Sequence, residues 1–111
     1  MIRSSRDRRQ TVRARSIQSR AAARVRRGPA TLATHAIAVG LGVREAASVA
    51  GSLRKAAAKA GVVGLTGVAY RKGRARACTR YSRAAVAVIA LTYRPRRDLY
   101  KQAAARLALA A

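Results

Sequence analysis

Only Asp7, Glu45 and Asp98 are acidic in a chain that carries 25 Lys and Arg, leaving a formal net charge of +22 on 111 residues. Such a chain has almost no ion pairs to make, and repulsion among its cations opposes any compact state. A polyanion relieves that repulsion, because cationic side chains replace the condensed counterions of a phosphate backbone. Nucleic acid is therefore the first expectation for the partner. Lys is confined to positions 55, 59, 72 and 101, and every other cation is Arg. The planar guanidinium fork suits bidentate contacts to phosphate and guanine better than an ammonium does. G+C-rich codons explain part of that bias, but they do not explain the missing acids.

The apolar half of the chain is rich in Ala and contains no Phe or Trp, and its aromatics are Tyr70, Tyr81, Tyr93 and Tyr100. A thin core of Val, Ile, Leu and Tyr follows, in one small domain with a tail. Cys78 stands alone, so there is no internal disulfide framework, and a reducing compartment is expected. No apolar run approaches the ~20 residues of a bilayer span, and no apolar segment follows the basic N-terminus as in a secretory leader. Membrane partners are not expected, and the cytoplasm, at the nucleoid of a bacterium, is the expected location.

Residues 1–29 form an Arg-rich arm with ten Arg against Asp7. Its Ile2, Val12, Ile17 and Val25 make no clear helical stripe. The arm is expected to be disordered alone and to become helical over 11–27 when phosphates neutralise it. Gly28-Pro29 marks the boundary to a folded part at 30–111.

In that part, Thr31 or Thr34 caps a short helix to Val39, with Leu32, Ala36 and Val39 inward. Gly40-Leu41-Gly42 stops it. A second helix from Val43 or Arg44 to Ala60 carries Ala46, Val49, Leu53, Ala57 and Ala60 on an inward stripe, opposite Arg44, Ser48, Ser52, Lys55 and Lys59. Gly51 leaves open a break into two helices. Lys72-Gly73 reads as a two-residue turn pairing Val68–Arg71 with Arg74–Ala77, with a helix over 69–80 as the competitor. Arg74, Arg76, Cys78 and Arg80 would then share one strand face, and Ala75, Ala77, Thr79 and Tyr81 the other. Ser82 caps a third helix to Thr92, with Val86, Ile89, Ala90 and Tyr93 on one side. Pro95 ends it and opens a fourth, with Asp98 in its first turn and Leu99, Tyr100, Ala103 and Leu107 as its apolar face. The expectation is a mainly α domain of about four helices and a basic β-hairpin behind the arm.

Ala36 and Ala47 each stand four residues before a glycine, Gly40 and Gly51. With the order helix, helix, basic hairpin, helix, this spacing resembles the helix-turn-helix and winged-helix DNA-binding proteins. The layout is similar to small proteins of that kind in actinobacterial phages and plasmids. The resemblance implies that the helix from Arg44 to Ala60 enters a groove, with Arg54, Lys55 and Lys59 toward the DNA and Arg44 and Ser52 on phosphates. It implies that Arg71, Lys72, Arg74 and Arg76 at the hairpin tip reach a minor groove or backbone. Arg13, Arg15, Arg20, Arg24, Arg26 and Arg27 of the arm add salt-dependent affinity. Arg94, Arg96 and Arg97, beside Pro95 and a helix N-terminus, offer a phosphate clamp.

Catalysis is not expected. His35 is the only histidine and lies in an apolar helix. The three acids are scattered, so there is no carboxylate pair, metal-ligand set or cofactor site. The Tyr side chains fall mostly on apolar faces, as core rather than stacking platforms. Double-stranded DNA is the expected partner, bound by a small bacterial or phage regulator or architectural protein. A ribosomal-type RNA-binding component and a phage factor docking on an acidic host protein are the alternatives. Leu107 and Leu109 offer a seam for a homodimer.

Overall fold

The computed structural model describes residues 2–110. The elements run α1 (Ile2–Arg27), α2 (Leu32–Ala38), α3 (Val43–Ala60), β1 (Leu65–Arg71), β2 (Arg74–Arg80), α4 (Arg83–Thr92) and α5 (Asp98–Leu109). The chain is mainly helical with one two-stranded antiparallel hairpin, as expected, although α1 adds a helix to the four anticipated.

Local chemistry sets most boundaries. Thr31 Oγ1 accepts from the Thr34 N–H at 3.3 Å, and Ser82 Oγ accepts from the Ala85 N–H at 3.2 Å, so both expected caps form. α3 runs unbroken through Gly51 to Gly61, whose left-handed conformation ends it. Pro95 does not open α5. That helix starts three residues later at Asp98, with Arg97 at its N-cap position and no side-chain cap.

The core joins one face of each of α2 to α5. Leu53, Ile89, Val49 and Val86 are its largest fully buried side chains, with Leu32, Ala36, Ala46, Ala57, Ala103 and Leu107 around them. The inward stripes read for α2, α3 and α4 are those seen, with Val39, Ala60 and Tyr93 only half-buried. On α5, Ala103 and Leu107 are buried, but Leu99 is 43% exposed; Ala104 takes its place inside. Leu107 is therefore core and is not free to form a dimer seam, while Leu109 is exposed.

Residues 1–29 do not form a separate arm in this structure. α1 packs along α2, burying Ala21 and Val25, while Thr11, Ala14 and Gln18 line a recess with Ile37, Gly40 and Leu41. The expected 11–27 helix is present, packs on α2 through Ala21 and Val25, and extends back to Ile2. The reason is a stripe carried by buried Ala21 and Val25 with half-buried Ile17 and Ala22. Such small residues give little hydropathy signal but allow close helix packing.

Gly40 lies where α5 returns to α2. Its φ is +111°, and a Cβ there would stand 3.1 Å from Arg106 Nη1. That Nη1 donates to the Val39 carbonyl at 2.9 Å, so a cation closes the C-terminal end of α2, where the helix dipole favours it. The radius of gyration, 14.7 Å, exceeds the roughly 13 Å of a compact chain this long. A projecting α1 and hairpin account for the excess.

Candidate nucleic-acid interface

The hairpin gathers its cations at the tip, with Arg71, Lys72, Arg74 and Arg76 within six positions. Its register pairs Leu65 with Arg80 through Arg71 with Arg74, so the predicted pairing of 68–71 with 74–77 forms and extends further. Lys72 and Gly73 have φ of 53° and 74°, both positive as a type I′ turn requires. This settles the helix-or-strand alternative for 69–80 in favour of strands. The hairpin is tied to the helices at its base by an isolated bridge, with the Ala30 N–H donating to the Tyr81 carbonyl at 3.0 Å and the reverse bond at 2.8 Å. Beyond that base it stands away from the core, and Lys72, Arg74 and Arg76 are exposed. Arg71 is placed by its backbone pairing with Arg74; its side chain lies outside the described residues.

Pairing puts Arg74, Arg76, Cys78 and Arg80 on one face with Leu65, Gly67 and Ala69, as alternation requires. Arg80 folds back over Gly67 and donates to the Val68 carbonyl at 3.2 Å, so it braces the ladder. The other face carries Thr66, Val68 and Tyr70 with Ala75, Ala77 and Thr79. Tyr70 is 79% exposed there, in contrast to Tyr81, which is buried, and to Tyr93 and Tyr100, which pack on the core. Sequence reasoning missed this ring as a surface feature. The available signal was that Ala75 and Ala77, opposite and diagonal to it, have no bulk to cover it.

On α3, Arg44, Ser48, Ser52, Lys55 and Lys59 are exposed, opposite the buried stripe. Arg54 is exposed too but faces elsewhere, lining a recess with Leu32, Thr66, Cys78 and Tyr81 beneath the hairpin. It lies five residues, or roughly 140° around the axis, from Lys59. Arg54 and Lys59 therefore stand at opposite sides of the exposed surface of α3. Arg54 belongs with the hairpin base, and Lys55 and Lys59 belong with Arg44. Ser52 sits at the edge of that stripe beside Tyr93. Burial raises the Tyr93 phenol above its ordinary value, the nearby Tyr100 adds to this, and the Ser52 side chain opposes both.

Arg94, Arg96 and Arg97 are exposed between α4 and α5. Arg97 is already engaged, with its guanidinium carbon 4.8 Å from the Tyr100 ring centroid and Nη1 donating to Tyr100 Oη at 3.1 Å. The cluster therefore offers two uncommitted guanidinium groups and one stacked one. Arg13, Arg15, Arg20, Arg24, Arg26 and Arg27 are exposed on α1. Arg26 lies at the rim of an apolar recess floored by Val25, Val86 and Leu107. Arg6, Arg8 and Arg9 continue the exposed basic surface toward the N-terminus and belong with them.

Negative charge barely interrupts this surface. Among the described residues the one ion pair is Lys101 to Asp98 at 4.0 Å, both exposed. Glu45 is in the first turn of α3, where the helix dipole favours an anion, and its carboxylate is folded against Gly42.

His35 is 2% exposed, and its Nε2 donates to the Tyr81 carbonyl at 2.7 Å in the neutral imidazole. Burial lowers its pKa below 6.5, against the raising effect of backbone hydrogen bonds at Tyr81 and Ala30, and nearby Arg83 lowers it further. The imidazole ties α2 to the hairpin base. Cys78 is a half-buried free thiol. Among the described residues no group of His, Cys, Asp and Glu could hold a metal ion, and no helix is long and apolar enough to cross a membrane.

Comparison with protein-family models, curated proteins and solved structures finds no match to this chain.

Proposed function

We propose that this protein is a non-enzymatic binder of double-stranded DNA, a small helix-turn-helix protein with a winged-helix-like hairpin. It would act as a transcriptional regulator or architectural factor in a bacterial or phage setting. The observation that carries this reading is the sequence of elements α2, tight turn, α3, basic hairpin. The turn at 39–42 contains Gly40 at φ +111°, and α3 and the hairpin expose Arg44, Lys55, Lys59, Lys72, Arg74 and Arg76. A short turn between two helices is the connection by which such domains present a second helix to the major groove.

Two further features support it. Lys72 holds a positive φ that Asn or Gly would adopt at less cost, and it sets a charge at the hairpin apex. Ala47 and Ser48 leave the α3 surface low between its cations, so the helix backbone can approach base edges closely.

The second reading is an RNA-binding component, favoured by one observation: Tyr70 offers an exposed ring on the hairpin face opposite Arg74 and Arg76, suited to stacking on an unpaired base. The duplex reading is preferred because single-strand grooves use several such rings, and here the other three Tyr pack on the core.

The test is a titration of a labelled duplex of about 30 base pairs at several salt concentrations, with the slope of log affinity against log salt near −0.9 per neutralised phosphate. Binding that is absent, or that does not change with salt, overturns the reading.

A further inference from the structure

We infer that α1 is itself a major-groove helix, whose arginines grip the two backbones on either side while Val12 and its neighbours face the bases. This rests on the duplex-DNA reading and goes beyond the expectation that the arginines of residues 1–29 add salt-dependent affinity.

The rotation of α1 is set by the face that it buries. Ala21 and Val25 are buried against the body of the protein, and Thr11, Ala14 and Gln18, with Arg15 at the edge, line the recess against the α2–α3 turn, which fixes the rotation of the helix about its axis. At 100° per residue, Arg6, Arg9, Arg13, Arg20, Arg24 and Arg27 then fall within roughly 60° of one another. Arg8, Arg15 and Arg26 fall within about 20° on a second line, roughly 140° from the first. Every one of these arginines is exposed. Asp7, the only acid of the helix, lies toward the packed side, away from both lines.

Between the two lines, on the side facing away from α2, stand Ser5, Val12, Ser16, Ser19 and Ala23. None of them is charged and none is longer than Val. Val12 is 65% exposed, at the floor of a shallow furrow whose walls include Arg8 on one side and Arg9, Arg13 and Arg20 on the other. That furrow is lined by α1 alone, so no other element of the protein covers it.

This arrangement matches a groove. A helix about 10–12 Å across with its side chains fits a major groove about 12 Å wide, and the phosphates of the two strands then lie along its two flanks. An arginine at the centre of the furrow would hold the helix off the base edges except where a guanine accepts from it. Small hydroxyls and a valine instead allow close approach, and the valine suits the thymine methyl group. Charge acting without geometry needs no such sorting, because a helix with arginines all around would bind phosphate equally well.

The test keeps the full chain and its net charge. Exchanging neighbours in the variant S5R/R6S/V12R/R13V moves two arginines from the flank into the furrow, at positions exposed to solvent. Duplex affinity is expected to fall at least about tenfold at fixed salt, with helix content unchanged by circular dichroism. The second measurement needs no variant: the unaltered protein binds a thymine-containing duplex and the same duplex with deoxyuridine for every thymine. Removal of the methyl groups is expected to weaken binding about fourfold for each methyl buried against Val12.

Equal affinity of the exchange variant, or indifference of the unaltered protein to the methyl groups, overturns the groove assignment and leaves the duplex-DNA reading standing. Failure of the unaltered protein to bind either duplex, or tighter binding to an RNA hairpin of equal phosphate, overturns that reading and the inference with it.

Discussion

Removing residues 1–10 should change how the protein responds to salt without changing how it folds. The segment carries Arg3, Arg6, Arg8 and Arg9 with Asp7. Residues 5–10 are exposed, and among the described residues the side-chain hydrogen bond that links this stretch to the rest of α1 is an exposed one, Thr11 Oγ1 donating to the Asp7 carbonyl at 2.9 Å. Stability should therefore shift by no more than about 0.5 kcal/mol, as for other surface changes. If all four arginines neutralise phosphate, the slope of log affinity against log salt becomes shallower by about 3.6, at 0.9 per contact. Between 50 and 200 mM salt the full-length protein should then lose roughly 150-fold more affinity than the truncated one. The assay is fluorescence anisotropy on one duplex across that salt range, paired with thermal melts of both proteins. An unchanged slope with an unchanged melting midpoint would refute the idea that the projecting end of α1 touches phosphate. A lowered midpoint would refute the claim that it is free of the fold. Deleting residues 1–27 is a different experiment, since it removes Ala21 and Val25 and should lower the midpoint through loss of packing.

Three other outcomes are expected. Leu53→Ala removes the bulk of a side chain with no solvent exposure and should destabilise the chain by about 2–5 kcal/mol in urea unfolding. Gly73→Ala strains a residue at φ +74° by about 1 kcal/mol; duplex affinity should drop while the urea midpoint moves little, because the hairpin stands outside the core. His35 is neutral when folded with its pKa lowered by burial, so below the unfolded value of 6.5 the unfolded chain takes up a proton first. Stability should fall as pH drops from there toward the lowered value, by at most about 1.4 kcal/mol per unit, and then level off. Urea midpoints in His35→Gln should lack that component.

The folded part was legible where a residue type imposes its geometry locally. Thr31 and Ser82 supplied caps, Gly61 a stop, Lys72-Gly73 a turn, and the spacing of Ala46, Val49, Leu53 and Ala57 a buried face. Pro95 misled because its fixed φ suits a helix start but does not compel one, and the chain stays extended as far as Arg97. The order in α1 was hidden because its contact face is largely alanine, which is too small to register as a stripe until α2 is seen beside it. The same gap concealed its arginine lines, whose spacing becomes meaningful only on a helix of known rotation. Cations were correctly expected at the surface. Which of them act together was not legible, and Arg54 parts from Lys55 and Lys59 because adjacent helical residues point about 100° apart.

The central claim, that the basic surface of this protein serves duplex DNA, is tested most directly by competition. A labelled duplex bound to the full chain is challenged with unlabelled duplex DNA and with structured RNA at equal phosphate and fixed salt. The account predicts that duplex DNA displaces the label at the lower concentration. Displacement by the RNA at a lower concentration than the duplex would contradict it.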